Sequence, residues 1–344
     1  MRNTTVPIRT RTAAEPNELA RLLAARVVGQ PAAVESIVPY VTMHQAGLAP
    51  EGRPVGVFLL LGPTGTGKTR TVEALAESLH GTSRHVLRVD CGEFQMEHEV
   101  AKLIGAPPGY LGHRETHPLL TQAKLNAVTS DRSSLSIVLF DEIEKAAASL
   151  TRLLLGVLDR ATLRLGDNTT VNFEGSLIFL TSNLGAREMQ RELSRGFGYG
   201  GLVPADATSS KRLEAIALSA VRKRFSPEFV NRIDASITYH PLSDDSLEAI
   251  LDLHLEQLQG HIDSRLGHRS FRLELTAGAR RFLLQRGTTR EYGARQLKRA
   301  IHKYLTQPLA ALVAAGRVES AARVKADAGD DALRFVCRRS ELAA

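Results

Sequence analysis

Residues 55–69 read VGVFLLLGPTGTGKT, and the order of signals in this stretch decides the fold. Val55 to Leu61 is a continuous apolar run, which predicts a strand buried on both faces. Gly62 to Thr69 satisfies G-x-x-x-x-G-K-[ST]. Thr69 to His80 follows with Val72, Leu75, Ala76 and Leu79 at helical spacing, and Gly81 ends the run. Strand, glycine-rich turn and helix in that order make an anion cradle. Glycines let backbone N–H groups turn inward around phosphate oxygens. The helix points its positive dipole end at the same anion. Gly62, Pro63, Thr64, Gly65, Thr66, Gly67, Lys68 and Thr69 are therefore the candidate phosphate-binding residues. Lys68 is expected at the β- and γ-phosphates and the Thr69 hydroxyl on Mg²⁺.

Outward from this segment the pattern repeats. His85 to Val89, Ser136 to Phe140, Ser176 to Thr181 and Ile237 to His240 read as further strands. Ile143 to Asp159 reads as a helix. Alternation of this kind predicts an α/β fold, a parallel sheet flanked by helices. Leu163 to Phe173 reads as a hairpin turning at Gly166-Asp167-Asn168. After His240 the pattern changes. Pro241 to Gln259 and Ala277 to Ala315 are amphipathic helix, with extended pieces at Phe271 to Leu275 and Arg323 to Val336. The expected organisation is a flexible N-terminus over 1–14, a large α/β nucleotide-binding domain over 15–240, and a small helical C-terminal domain over 241–344. At roughly 150 residues per domain, 344 residues accommodate two.

Ser136 to Glu142 reads SIVLFDE, an apolar strand ending in two acids. An acid at a strand tip beside a phosphate loop holds a metal, which assigns Asp141 to Mg²⁺. Glu142 is the candidate base that polarises an attacking water. The competing reading is that both acids simply favour the start of the following helix.

Composition bounds the remaining classes. Hydrophobic residues are 43% and charged residues 24%, an ordinary globular mix that excludes a disordered chain or a collagen. Two cysteines, Cys91 and Cys337, cannot build a disulfide framework, so a reducing, cytoplasmic setting is expected. No apolar run reaches the roughly 20 residues of a membrane span. The net charge of +7 is diluted along the chain. With no Trp and aromatics at 5%, base-stacking platforms are absent, which argues against a nucleic-acid partner.

Seven segments together resemble the AAA+ ATPases of the Clp unfoldase/disaggregase family, specifically the second ATPase module of the ClpB, ClpA and ClpC type. They are RVVGQ (26–30), FLLLGPTGTGKT (58–69), LIGAPPGYLG (103–112), VLFDEIEKA (138–146), FLTSNLGA (179–186), FSPEFVNRID (225–234) and YGARQLKRAI (292–301). They stand in the family's order and span roughly residues 18–338. The resemblance implies an AAA+ P-loop NTPase with a small helical lid, binding ATP/ADP with Mg²⁺. It places Val27 and Val28 at the adenine, Asn183 as the first sensor, Arg295 as the second sensor, and Arg232 as an arginine finger serving the neighbouring subunit. The last implies a ring homo-oligomer, usually of six. Tyr110 and Leu111 match the pore loop that grips a polypeptide substrate. The implied function is ATP-dependent protein remodelling or unfolding. The alternatives are a dedicated activase of one partner protein and a nucleic-acid-associated AAA+ motor.

The chain also departs from the family pattern. After Gly112 it reads HRETHP, and at the second pore loop, Ala161 to Thr169, it reads ATLRLGDNT, which leaves grip by that loop in doubt. The stretch before Glu15 is too short for the amino-terminal domain, first ATPase module or middle domain of the larger relatives, so a stand-alone single module is expected. At Arg195-Gly196-Phe197-Gly198 a cation stands where peptidase-docking loops carry an aliphatic residue. Replacing that anchor forfeits roughly 1.5–3 kcal/mol of burial, so a ClpP-type peptidase partner is not favoured.

Overall fold

The computed structural model describes residues 18–105, 118–195, 207–288 and 293–338. Tyr110, Leu111, His113, His117, Gly196 and Phe197 lie outside these residues. Among the described residues there are ten strands: β1 (Gly56–Leu61), β2 (Leu87–Asp90), β3 (Ser136–Asp141), β4 (Thr162–Arg164), β5 (Thr170–Asn172), β6 (Ser176–Ser182), β7 (Ala235–Thr238), β8 (Arg272–Leu275), β9 (Arg323–Ala328) and β10 (Leu333–Arg338). The large domain is built on a five-stranded sheet in the order β2-β3-β6-β1-β7, parallel throughout.

The apolar runs explain why this sheet is central. A strand turns successive side chains to opposite faces, so a continuous apolar run needs a core on each. Val57, Leu59, Leu61, Val138, Phe140, Ile178 and Leu180 enter one core with the helices Ala148–Arg160 and Ala207–Arg224. Phe58, Leu60, Ile137, Leu139, Leu177 and Phe179 enter the other with Glu18–Arg26, Pro31–Gln45 and Lys68–His80. Phe58 stacks on Phe179 at 5.2 Å and meets the edge of Tyr40 at 5.0 Å. Among the described residues no helix is long and apolar enough to cross a membrane.

Several elements differ from expectation. The predicted helix Ile143–Asp159 is broken. Ile143–Lys145 forms one 3₁₀ turn, and the α-helix runs over Ala148–Arg160. The cause lies at Glu142, whose φ of 56° is left-handed and cannot start an α-helix. The acids at 141–142 therefore do not begin a long helix, which removes the dipole explanation for them. The last strand of the large sheet is Ala235–Thr238, ahead of the expected 237–240, because it pairs with Phe58–Leu61 of β1. Arg323 to Val336 is a hairpin, turned where Gly329 N donates to Ala332 O (2.9 Å). The hairpin β4–β5 turns where expected, with Asn168 in the left-handed region.

After β7 comes the helix Asp244–Leu266, capped by Ser243. The helices Ala277–Gly287 and Ala294–Ala300 and the π-helical turn Ile301–Thr306 follow, and Gln307–Ala314 completes the run. They pack on the sheet β10-β9-β8 around Leu251, Leu283, Leu297, Leu305 and Val324.

At the end of the helix Lys68–His80, His80 is buried and stacked on His85 at 5.1 Å. Its Nδ1 pairs with Ser130 Oγ at 2.9 Å. Burial, then the charge of His85, pushes the imidazole down to about 4. The unfolded chain binds this proton more readily, so His80 contributes stability above pH 6.5 that is lost as pH falls towards 4, at up to about 1.4 kcal/mol per pH unit. Urea unfolding of His80→Gln and wild type across pH 7 to 4.5 should show their difference shrinking as the acid advances. A difference constant with pH would contradict the assignment.

Candidate active site

A parallel sheet delivers every strand's carboxyl end to one edge, and ligands bind where the strand order switches. Here β1 lies between β6 and β7, and Gly62 to Thr69 springs from its end. Lys68 is only 8% exposed. Its Nζ donates to the carbonyls of Gly62 (2.6 Å) and Pro63 (2.9 Å) and to Asn183 Oδ1 (2.9 Å). Burial pushes the ammonium down to about 8. The carboxylates of Glu144, Asp141 and Glu142 oppose that shift, and Arg295 adds to it.

The facing wall is acidic. Asp141 ends β3 and accepts a hydrogen bond from the Thr181 hydroxyl of β6. The same Thr181 Oγ1 accepts the Glu142 N–H at 3.0 Å. Glu142 Oε1 takes a bond from Asn183 Nδ2 (3.3 Å), and Oε2 pairs with Lys145 (2.5 Å). Glu144 Oε1 accepts the Asn183 N–H (3.0 Å), while its Oε2 is buried with no partner among the described residues. Asn183 thus joins Lys68 to Glu142, and Glu144 holds the backbone of Asn183.

The small domain closes the cleft. Ala294 N donates to Gly65 O at 3.1 Å. Gly293 (φ 49°) lies so close that a β-carbon there would stand 2.7 Å from that carbonyl, so no other residue fits without displacing the loop. Arg295 follows at the start of its helix and lines the cleft. The cavity measures about 1040 Å³. Its lining combines apolar side chains, Leu22, Val27, Val28, Leu242, Ile250 and Leu253, with the polar groups of residues 64–69, Asp141, Glu142 and Asn183.

The residues fit a nucleotide with Mg²⁺. No side chain caps the helix Lys68–His80, whose Ncap is Gly67 in the left-handed region. A β-carbon on Gly67 would meet nothing within 4 Å among the described residues, which leaves the cradle open on that side. An uncapped helix start above a buried lysine suits phosphate. Thr69 and Asp141 both line the cleft, and Mg²⁺ keeps most of its ligands as water and phosphate oxygens.

The structure therefore brings Val27, Val28, residues 64–69, Asp141, Glu142, Asn183 and Arg295 to one cleft, while Gly62 and Pro63 do not line it and give their carbonyls to Lys68. Arg232 does not line it. Its guanidinium reaches Glu228 (3.2 Å) and Asp159 (3.6 Å), and Nε is buried without a partner among the described residues. Asp234, two residues on, is held instead by Arg53 (2.7 Å) and the Val57 N–H (2.8 Å). Thr181, Glu144 and Gln30 escaped sequence reasoning. Gln30 is buried. Its Nε2 donates to Thr66 O (3.1 Å) and His240 O (2.8 Å), and its Oε1 accepts the His240 N–H (3.3 Å). It ties the phosphate loop to the junction between the domains. The only sequence signal was its place at the end of RVVGQ.

Comparison with known proteins defines the class first. The family described as "AAA domain (Cdc48 subfamily)" matches residues 53–236, and the "C-terminal, D2-small domain, of ClpB protein" matches 242–326. The chain belongs to the AAA ATPases, and within them to the Clp family. It is 40% identical to the chaperone protein ClpB of Rhizobium meliloti over 96% of its length and 36% of that protein's. It is 38% identical to the ATP-binding subunit ClpC of the Clp protease of Staphylococcus saprophyticus, over 88% of this chain and 35% of that one. A closed-state cryo-EM reconstruction of Hsp104 with ATPγS and FITC-casein superposes with a TM-score of 0.76 at 27% identity, covering 93% of this chain and 51% of that one. The chain spans about a third of the length of the curated relatives it matches.

Gln30→Ala would leave Thr66 O and both polar groups of His240 unpaired at the junction. We expect it to cost about 1–3 kcal/mol in urea unfolding. An unchanged midpoint would contradict the strap.

Proposed function

We propose that this chain binds ATP with Mg²⁺ between its two domains and hydrolyses it to ADP and phosphate. We further propose that it does so to remodel or unfold polypeptides as a ring-forming homo-oligomer. The observation that carries the reading is the convergence of Lys68, Asp141, Glu142, Asn183 and Arg295 on one cleft. Bound Mg²⁺ supplies charge neutralisation on the transferring phosphoryl group. The chain's residues do the rest. Amides of residues 64–69 and Lys68 would bind phosphate, and Thr69 and Asp141 would hold the ion. Val27 and Val28 receive the adenine. Asn183, bonded to Lys68 and Glu142 together, orients the water, and the Glu142 carboxylate takes its proton. Arg295 brings a cation from the small domain, so binding and lid position are linked.

Arg232 is proposed to reach the neighbouring subunit's nucleotide, which its place away from its own cleft supports. A cation placed there neutralises charge developing in phosphoryl transfer. Tyr110 and Leu111 are proposed to grip substrate by apolar contact. ClpB is named a chaperone and the Hsp104 reconstruction contains casein, which supports a polypeptide substrate. A peptidase partner is not part of the proposal.

Glu142→Gln should keep ATP binding while turnover falls by about 10²–10⁴. Turnover at the wild-type rate would remove Glu142 as the base. Arg232→Ala should bind ATP without hydrolysing it. Mixing it with Lys68→Ala subunits should restore part of the activity, because each supplies what the other lacks. A fully active dilute monomer, seen by light scattering, would refute the assembly requirement.

A further inference from the structure

The turn that carries Glu142 is held from outside its own segment. A left-handed φ on a non-glycine residue persists only where the surroundings over-determine it. After Glu142 (φ 56°) the chain makes one 3₁₀ turn. Lys145 N donates to Glu142 O (2.9 Å) and Ala146 N to Ile143 O (3.2 Å). Ala146 then becomes extended, with ψ 146°, and the turn stops. Carbonyls at the end of such a turn need partners from elsewhere. Arg224 supplies them. Its Nε donates to Glu144 O (3.0 Å), and its Nη2 donates to Glu144 O (2.8 Å) and Ala146 O (3.0 Å).

Arg224 is the last residue of the helix Ala207–Arg224. Phe225 and Phe229 follow, both buried and stacked at 5.1 Å. Ser226 caps the short helix Pro227–Val230 between them. Arg232 is tied to the same helix through Glu228 O at 2.9 Å. Residues 224–232 thus form one anchored piece. One end grips the backbone behind Glu142 and Glu144, and the other carries Arg232.

We infer that Arg224 is a positioning residue that couples the segment bearing Arg232 to Glu142 of the same subunit, so that contact with a neighbour's nucleotide sets a subunit's own readiness to hydrolyse. The inference rests on the proposed function. A shift of residues 224–232 moves the carbonyls of Glu144 and Ala146 directly. It thereby moves the carboxylates of Glu142 and Glu144, which hold Asn183 from two sides. The planar guanidinium suits two adjacent carbonyls, whereas a lysine serves one point at a time. Arg224 does not line the cleft, so it acts on geometry and leaves nucleotide affinity alone.

The test is steady-state ATPase of full-length Arg224→Gln and Arg224→Lys, with Glu142→Gln alongside and assembly followed by light scattering. Arg224→Gln should lower kcat about tenfold or more, since small misplacements of a reacting group are costly. KM should stay within about twofold, and the Hill coefficient for ATP should fall towards one. Arg224→Lys should be intermediate in kcat. A wild-type kcat and Hill coefficient in an assembled Arg224→Gln protein would overturn the proposal. If that variant does not fold, a wild-type kcat in Arg224→Lys overturns it equally. If Glu142→Gln itself turns over normally, the reading of the site fails. If Glu142→Gln is inactive and Arg224→Gln is not, only the coupling fails.

Discussion

Lys68 is the constraint on which the site depends. A lysine ammonium buried to this degree would shed its proton unless oxygen atoms surround it. Here the carbonyls of Gly62 and Pro63 and the Asn183 amide oxygen take its three donors. Three acids stand across the cleft and favour its charge. Those requirements shape the neighbourhood. The loop curls back onto the lysine, and Asn183 sits at the end of β6. The acidic tip of β3 comes alongside because β3 and β6 are paired. A site assembled in this way is held by the fold's own hydrogen bonds, which is the condition for electrostatic catalysis to work without reorganisation at the moment of reaction.

The second domain matters because it touches that loop directly. The Ala294 N–H sits on Gly65 O, and Gly293 admits no side chain there. Gln30 secures the opposite flank by bonding Thr66 O and His240 together. The phosphate loop is therefore a shared boundary, gripped by the small domain on one side and by the domain junction on the other. A change in the loop on phosphate binding has short, backbone-level routes into both.

Much of this was legible in the chain itself. Continuous apolar runs announced strands buried on both faces, and the glycine pattern between β1 and its helix announced the phosphate loop. The acids 141–142 were placed by a strand ending in charge. What escaped was set by partners far away in sequence. Nothing around Glu142 signals its left-handed backbone, because the reasons are Thr181 and Arg224, about 40 and 80 residues on. Gln30 looked like any polar residue until β7 ended beside it. Glu144 looked like a solvated helix position, because the turn at 143–145 read as helix. The hairpin β9–β10 reads in sequence as one extended piece, since Asp and Gly residues at its tip do not interrupt the alternation strongly.

The central claim is that nucleotide binds across the boundary between the two domains. Hydrogen–deuterium exchange of the full-length protein with and without ATP and Mg²⁺, using Glu142→Gln to prevent turnover, tests it most directly. Slowed exchange is expected in three places at once: the phosphate loop 64–69, the N-terminal wall 22–28 and the small-domain face 294–298. Protection confined to the phosphate loop, with 294–298 unchanged, would contradict it.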